Sequence, residues 1–197
     1  MEGSGASSSW KPANPAPLGL AGFALTTFVL SMINANWVSG LDTPVVLGLA
    51  VAYGGLAQLL AGMWEFRAGN TFGAVAFSSY GAFWIAVWVL LSFNVSGIPA
   101  AHVGHALGLF FWAWAIFTGY MALAALRTNG AVLLVFILLT ITFVMLAIGA
   151  SGGHTSATHW GGYLGVATAI VAWYTSFAGV INSTFGKTVA PTFPLNK

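Results

Sequence analysis

The sequence predicts an all-α integral membrane protein with six transmembrane helices. Hydrophobic residues make up 58% of the 197 residues and charged residues only 4%, whereas soluble domains carry roughly 25% charged residues. Charge-free runs cover 12–41, 43–64, 68–126 and 128–186, and a helix that spans a bilayer needs about 20 apolar residues. The two shorter runs therefore hold one helix each, and the two longer runs hold two each.

Breaks rich in small and polar residues, at 92–105 and 149–159, divide the two long runs. We therefore predict helices at 17–37, 44–64, 71–91, 106–126, 131–149 and 161–182. Asn14 can cap helix 1 through its side-chain oxygen. Pro15 and Pro17 fit the first turn because the amides they lack would have no intrahelical partner.

The basic residues predict the orientation. With six helices both termini lie on one side, and all five lysines and arginines fall on that side, so the positive-inside rule places it in the cytoplasm. We predict a transmembrane domain at 14–186 in the plasma membrane. It lies between a disordered cytoplasmic N-terminal tail, 1–13, and a cytoplasmic C-terminal tail, 187–197. Asp42 and the four histidines are then expected in the outer loops.

No charged side chain falls well inside a predicted span. Glu65 and Arg67 lie just past helix 2, where pairing or snorkelling to the headgroups would account for them. An ionisable group within a membrane usually marks a proton relay or a counter-ion. The sequence therefore predicts a pathway lined by uncharged groups. The few dispersed basic residues do not suggest a nucleic-acid partner.

Two helices carry polar or small residues on one face. On helix 1 the polar residues Thr27 and Asn34 share one face with Phe23 and Leu30. On helix 6 the polar or small residues are Thr168, Ala172, Thr175, Ser176 and Gly179. A bond to the carbonyl of the preceding turn is the commoner role for any single hydroxyl. Two such stripes in a charge-free bundle nevertheless favour a conduit for a small solute.

Enzymatic interpretations find little support. Ser151 with His159 faintly matches an intramembrane serine protease pair, but eight residues separate them across one predicted loop. The four histidines have no carboxylate nearby and make a poor metal-ligand set. We expect no enzyme activity, no cofactor and no metal site.

Three motifs carry a resemblance to a known family. They are NPAPLGL at 14–20, LLAGMWEFRAGNTFGAVAFSSYGAFW at 59–84 and FGKTVAP at 185–191. In order and spacing they resemble the acetate uptake transporter family, the succinate and acetate permeases of microbes. The resemblance covers about residues 14–191.

The resemblance implies a fold, a substrate class and site residues. Members of that family are six-helix protomers assembled as hexamers, each with its own pathway for acetate and, in some members, succinate or other short carboxylates. Their aromatic and aliphatic constriction falls on Phe23, Tyr80 and Leu139. A small residue linked to substrate choice falls on Ala172 by counting back from Asn182, which we include with it as a selectivity candidate.

One departure from the family bears on mechanism. Some bacterial members have a glutamate near the inner end of helix 6, where this chain has an uncharged segment, 178–180. A bare carboxylate in hydrocarbon faces a cost of tens of kcal/mol, so hydroxyls, water and helix N-terminal amides must replace its hydration. We predict that the N-terminal ends of helices 1, 3 and 5, with Asn14 and Asn70 as caps, favour anions at the cytoplasmic mouth.

Three functions remain open at this point. The first is a passive or proton-linked conduit for acetate, with channel and symport left undecided. The second is a pore for a neutral solute such as ammonia, because nothing buried in the predicted helices demands an anion. The third, a membrane sensor or scaffold, is disfavoured because both tails are short.

Overall fold

The computed structural model describes residue 10 and residues 12–195. This part of the chain contains six helices that are long and apolar enough to cross a membrane. They are α1 (Ala16–Asn34), α2 (Gly40–Ala68), α3 (Thr71–Gly97), α4 (Ala100–Ala125), α5 (Gly130–Gly152) and α6 (Thr155–Phe185). The predicted all-α membrane fold is confirmed. Most of the predicted N-terminal tail, 1–13, lies outside the described residues.

The connections between α3 and α4 and between α5 and α6 are shorter than predicted. Only Ile98 and Pro99 separate α3 from α4, and only Gly153 and His154 separate α5 from α6. The predicted breaks were too long because helices continue through small and polar residues beyond the apolar stretch that hydropathy detects. Gly153 ends α5 in the left-handed conformation, with φ 64°.

The position of the histidines is therefore corrected. His102 and His105 lie in the first two turns of α4, and His159 lies near the start of α6. Within the described chain His154 alone lies between helices. The expectation that all four occupy loops was wrong for the other three, since an imidazole is compatible with the ends of a helix.

Two helices depart from α geometry. A π-helical segment, Ala52–Ala57, interrupts α2, and a second, Leu90–Asn94, lies near the end of α3. A π turn adds one residue and so rotates the following part of the helix by about 100°. In α2 the segment therefore sets which side chains after Ala57 face the neighbouring helices.

α1 and α6 form a close helix pair. Gly162 of α6 faces Ala35, directly after α1, and Gly165 faces Ser31 of α1, with no room for a Cβ atom at either glycine. Small residues let membrane helices approach in this way where lipid provides no hydrophobic drive. Around this pair, α6 and α4 flank α5, and α2 packs on α3.

The ends of the helices define two faces of the molecule. α1, α3 and α5 begin, and α2, α4 and α6 end, at what we call the terminal face; the opposite one is the far face. The C-terminal segment folds along the terminal face, where the Gly130 amide donates to the Phe193 carbonyl (2.7 Å) and the Leu195 amide to the Thr128 carbonyl (3.0 Å). The described part of the C-terminal tail is therefore tied to the start of α5.

Candidate functional site: a path of three cavities

Three cavities lie in series between the helices. A terminal-face cavity of about 160 Å³ is followed by a middle cavity of about 30 Å³ and a far-face cavity of about 370 Å³. Phe23 and Leu139 line both the terminal-face and the middle cavity. Leu30, Asn34 and Phe83 are among the residues shared by the middle and far-face cavities. The series therefore follows α1, α3 and α5 from one face towards the other.

The path narrows at the three residues that the resemblance assigned to a constriction. Phe23, Tyr80 and Leu139 come from α1, α3 and α5 and are 4%, 3% and 3% exposed. The ring centroids of Phe23 and Tyr80 are 5.7 Å apart. The middle cavity just beyond has room for about one water molecule. The structure thus places all three residues in the lining of the terminal-face cavity, and Phe23 and Leu139 continue into the middle cavity.

A hydrogen-bond chain to α4 holds the ring of Tyr80. The Tyr80 hydroxyl lies 2.9 Å from Thr118 Oγ1, and the Thr118 hydroxyl donates to the Trp114 carbonyl at 2.7 Å. Because Thr118 has a single hydroxyl hydrogen, Tyr80 must be the donor in the first bond. Thr118 was missed in the sequence because it is a lone hydroxyl on a helix without a polar stripe.

Three helix N-termini meet at the terminal-face cavity. Its lining includes Ala16, the first residue of α1, together with Asn70 before α3 and Asn129 before α5. Asn70 Oδ1 accepts from the Gly73 amide (3.1 Å) and Asn129 Oδ1 from the Val132 amide (2.9 Å). None of the described residues lining this cavity is charged. Each helix N-terminus carries a partial positive charge, and the carboxyl group of Glu65, bonded to Asn70 at 2.8 Å, lies at the α3 end.

Of the two predicted caps, Asn70 is confirmed and Asn14 is displaced by one residue. Asn14 Oδ1 accepts from the Ala16 amide (3.0 Å), while Pro15 holds the capping position of α1. Asn14 lies in the groove between α1 and α6, beside Pro17, and not in the terminal-face cavity. Asn129 was missed, although an asparagine directly before a long apolar run is a recognisable helix-start signal.

Glu65 corrects the expectation that no acidic group is buried. It lies inside α2, is 1% exposed, and its Oε2 accepts from Asn70 Nδ2 at 2.8 Å. The prediction failed because α2 continues to Ala68, and the turn at Gly69 returns the chain so that the start of α3 covers the carboxylate. Arg67 does face outward, with its guanidinium 5.4 Å from the Trp10 ring centroid.

Polar groups without a protein partner occur on both sides of the constriction. Gln58, 1% exposed, lines the terminal-face cavity, and its Oε1 has no hydrogen-bond partner. Thr27 and Trp84 line the middle cavity, and the Thr27 hydroxyl and the Trp84 Nε1 atom also lack partners. Buried polar groups are usually paired. These three are therefore available to a solute or to its water.

Sequence reasoning anticipated only one of these unpaired groups. Thr27 lies on the predicted stripe of α1, whereas Gln58 and Trp84 were not singled out. Gln58 is the only glutamine in the sequence and stands in an otherwise apolar run, which is a signal that could have found it. Trp84 is one of nine tryptophans, and nothing in its spacing distinguishes it.

The polar stripe of α6 is placed away from the path. Thr168, Ala172 and Thr175 are buried, yet they line none of the three cavities. The Thr168 and Thr175 hydroxyls donate to the carbonyls one turn back, at 2.7 and 2.8 Å. Ala172 belongs to the same buried cluster as Phe23. The stripe thus packs α6 against the helices that form the path.

Asn182 is engaged by the C-terminal segment. Its Oδ1 accepts from the Val189 and Ala190 amides at 2.7 and 2.9 Å, and its Nδ2 donates to the Ala190 carbonyl at 2.8 Å. The structure gives this side chain a role in fixing the end of the chain at the terminal face. Like the α6 stripe, it lines none of the three cavities.

A six-helix membrane bundle with a closed path of cavities defines the class of channels and transporters. Comparison with known proteins names the family: the chain matches the GPR1/FUN34/yaaH family over residues 3–197 and belongs to it. The resemblance seen in the sequence motifs is thereby confirmed. Members of this family are transporters or channels and not enzymes.

Two relatives illustrate the range of the family. Ammonia transport outward protein 2 of Saccharomyces cerevisiae is 44% identical over 182 residues, which cover 86% of this chain and 62% of that protein. The succinate-acetate/proton symporter SatP of Escherichia coli is 39% identical over 181 residues, covering 92% of this chain and 95% of that protein. The chain therefore spans less than two thirds of the yeast relative and nearly all of the bacterial one.

A solved structure supports the fold at the level of coordinates. The structure of the bacterial acetate channel SatP superposes with a TM-score of 0.87 at 37% sequence identity. The match covers 92% of this chain and 99% of that chain. The six-helix arrangement is therefore shared across nearly the whole chain.

Proposed function

We propose that the protein passes acetate through a path within each protomer, with other short monocarboxylates and succinate as further candidate substrates. The observation that carries the proposal is the cavity series, which starts at three helix N-termini and closes at Phe23, Tyr80 and Leu139. Its similarity to a bacterial acetate channel and to a succinate-acetate/proton symporter supports the choice of substrate.

In this proposal the terminal-face cavity binds a small anion weakly enough to release it again. Each helix N-terminus is equivalent to about half a positive charge, and the cavity holds no lysine or arginine among its described residues. Partial charges attract a carboxylate without the strong binding of a fixed cation. Conduction requires binding that is favourable and also weak enough for release.

The constriction supplies the selectivity in this proposal. Phe23, Tyr80 and Leu139 present apolar surface at the narrowest part of the path. A solute must shed part of its water and be small to pass between them. Thr27 and Asn34 on the far side then offer polar groups to the solute. Asn14 and Asn70 act through the helix starts that they bond.

The α6 residues enter the proposal indirectly. Thr168, Ala172, Thr175 and Asn182 line none of the three cavities, so any effect on substrate choice must come through the position of neighbouring groups. Ala172 packs in the buried cluster that contains Phe23 and Leu139. A change of its volume would shift α1 and with it the constriction. Its part in substrate choice stays a prediction.

Membrane placement and assembly are part of the same proposal. We propose that the terminal face is cytoplasmic, since Arg67, Arg127 and Lys187 all lie at that face, and that the membrane is the plasma membrane. The resemblance implies a homohexamer. The strongly apolar exposed face of α4, which includes Leu109 and Ile116, suits contact with lipid or with a neighbouring protomer.

Labelled-acetate flux into proteoliposomes tests the function. With membrane potential and pH gradient clamped separately, and free diffusion of acetic acid subtracted, protein-dependent acetate flux is expected. Flux driven by a pH gradient at zero potential would identify proton coupling, whereas flux that follows potential alone would identify a channel. Liposomes with protein that take up acetate no faster than empty liposomes would refute the proposal.

Ammonia is a second candidate, favoured by the 44% identity to a protein named for outward ammonia transport. The two candidates differ in charge. An acetate ion moving alone responds to membrane potential and a neutral ammonia molecule does not. Potential-independent ammonia flux without acetate flux would replace the first proposal with this one.

A further inference from the structure

Thr118 of α4 is a fully buried residue next to the constriction. It is 0% exposed and lines none of the three cavities. Its Oγ1 lies 2.9 Å from the Tyr80 hydroxyl, and among the described residues this is the one hydrogen bond that joins α3 to α4. The bond therefore ties a constriction residue to a helix that supplies none of the described residues lining the terminal-face cavity.

Four aromatic rings lie around Tyr80. Its ring centroid is 5.7 Å from that of Phe23, 5.9 Å from Trp114, 5.5 Å from Phe117 and 6.0 Å from Phe136. Aromatic pairs are stable in more than one mutual arrangement, whereas a hydrogen bond requires a short distance and a favourable angle. The bond to Thr118 is thus the contact that best fixes the ring in a single position.

The same bond decides what Tyr80 can offer to a solute. Because the Thr118 hydrogen goes to the Trp114 carbonyl, the Tyr80 hydrogen is engaged with Thr118. The phenol oxygen then has only lone pairs left, and a carboxylate ion needs a donor. While the bond holds, Tyr80 therefore acts towards an anion as an apolar wall and not as a hydrogen-bonding ligand.

We propose that Thr118 is a positioning residue that sets the size limit of the constriction by holding the Tyr80 ring beside Phe23. The inference rests on the proposed acetate function and adds a residue, outside the path, that determines its specificity. Without the bond the Tyr80 ring turns more freely and the opening widens. Larger acids then cross more easily, while the binding of acetate before the constriction is unaffected.

Two single variants remove the same bond from opposite ends. Thr118→Val keeps the shape of the side chain without the oxygen, and Tyr80→Phe keeps the ring without the hydroxyl. With free diffusion of both acids subtracted, each is expected to raise the ratio of benzoate flux to acetate flux in proteoliposomes about two- to tenfold, the range for one neutral hydrogen bond. The half-saturating acetate concentration is expected to stay at the wild-type value in both.

A double variant tests whether the two residues act through one bond. Thr118→Val combined with Tyr80→Phe is expected to raise the flux ratio no further than either single variant, because the shared bond is already lost. Thr118→Ser keeps the hydroxyl and is expected to retain the wild-type ratio.

Thr140→Val is the matched control. The Thr140 hydroxyl also donates to the carbonyl one turn back at 2.7 Å, and the residue lines none of the three cavities. It lies at the α4–α5 contact beside Gly119, the residue that follows Thr118. Because it makes no bond to Tyr80, its variant is expected to keep the wild-type flux ratio.

The two proposals fail in different ways. Absence of acetate flux in the wild type would reject the function itself. Wild-type acetate flux with an unchanged flux ratio in Tyr80→Phe, or an equal rise in Thr140→Val, would reject only the role of Thr118. A raised half-saturating acetate concentration in Tyr80→Phe would also overturn the inference, since it would show that the hydroxyl binds the solute.

Folding of the variants does not limit the test. Thr118→Val leaves the Tyr80 hydroxyl buried without its acceptor, which destabilises the protein. Tyr80→Phe leaves the Thr118 hydroxyl bonded to the Trp114 carbonyl, and the double variant removes both partners. If Thr118→Val does not fold, as judged by its elution in detergent, Tyr80→Phe and the double variant decide, and a ratio higher in the double variant than in Tyr80→Phe would overturn the inference.

Discussion

The polar stripes of α1 and α6 look alike in sequence but differ in the structure. On α1, Phe23, Thr27 and Asn34 line the cavities, and the Thr27 hydroxyl has no partner. On α6, Thr168 and Thr175 lie in helix contacts, and their hydroxyls donate to carbonyls of their own helix. A stripe of hydroxyls therefore indicates that a helix face is buried, but not whether it faces a cavity or a neighbour.

The state of each hydroxyl separates the two cases. Bonding to the preceding turn satisfies a threonine in the membrane without any help from outside the helix. A buried hydroxyl that lacks this bond implies a partner that the helix does not supply. Thr27 meets this second condition at the middle cavity, and the Gln58 Oε1 and Trp84 Nε1 atoms are also buried without a partner.

The largest expected effect is at the constriction end of the α1 stripe. Phe23→Ala removes an aromatic wall of the path, so a larger acid such as benzoate is expected to cross about tenfold faster or more, a barrier change of about 1.4 kcal/mol. Proteoliposome flux of acetate and benzoate measures it. The control is Phe28→Ala, because Phe28 packs against Trp173 (ring centroids 5.1 Å apart) and lines none of the three cavities. Continued exclusion of benzoate by Phe23→Ala and by Tyr80→Ala would remove the constriction from the proposal.

An intermediate effect is expected from the same isosteric change in each stripe. Thr27→Val removes an unpaired hydroxyl, so acetate flux is expected to fall about three- to tenfold while the free energy of unfolding rises by about 1 kcal/mol. Thr175→Val removes a bonded hydroxyl and is expected to leave flux unchanged and to lower stability by up to about 1 kcal/mol. Flux and thermal unfolding in detergent check both variants. The reverse pattern would show that the α6 stripe lines the path.

The smallest effect is expected at the contact between the two stripe-bearing helices. The Ser176 hydroxyl donates to the Pro17 carbonyl at 2.7 Å, so Ser176→Ala is expected to cost about 1 kcal/mol of stability with acetate selectivity unchanged. Thermal unfolding and acetate-to-succinate flux ratios measure the two quantities. An altered ratio with unchanged stability would contradict the packing role assigned to this residue.

Several features of the fold followed from local patterns. Six spans were predictable because each depends only on the length of an apolar run, and the Asn70 cap because it depends on residues three apart. The far-face connections and three histidines were misplaced because hydropathy marks where a helix is apolar and not where it ends. Glu65 was misplaced because its burial depends on the turn at Gly69, which brings α3 over it.

The site was only partly visible in the sequence. The resemblance supplied Phe23, Tyr80 and Leu139, and spacing supplied Thr27 and Asn34. Gln58, Trp84 and Thr118 have no periodic partners and carry no charge. Gln58 and Trp84 stand out because each has a buried polar atom without a partner, and Thr118 because it bonds Tyr80 on another helix. Both properties depend on how the helices pack.

The sequence by itself determined a six-helix membrane protein of a transporter family, with polar faces on α1 and α6. It could do so because span length, capping and face periodicity are properties of one segment at a time. The tertiary structure decided which helix face lines the cavities, which hydroxyls lack partners and where the cavities are narrowest. Those outcomes depend on which helix lies opposite, and a periodicity of 3.6 residues contains no information about the neighbour.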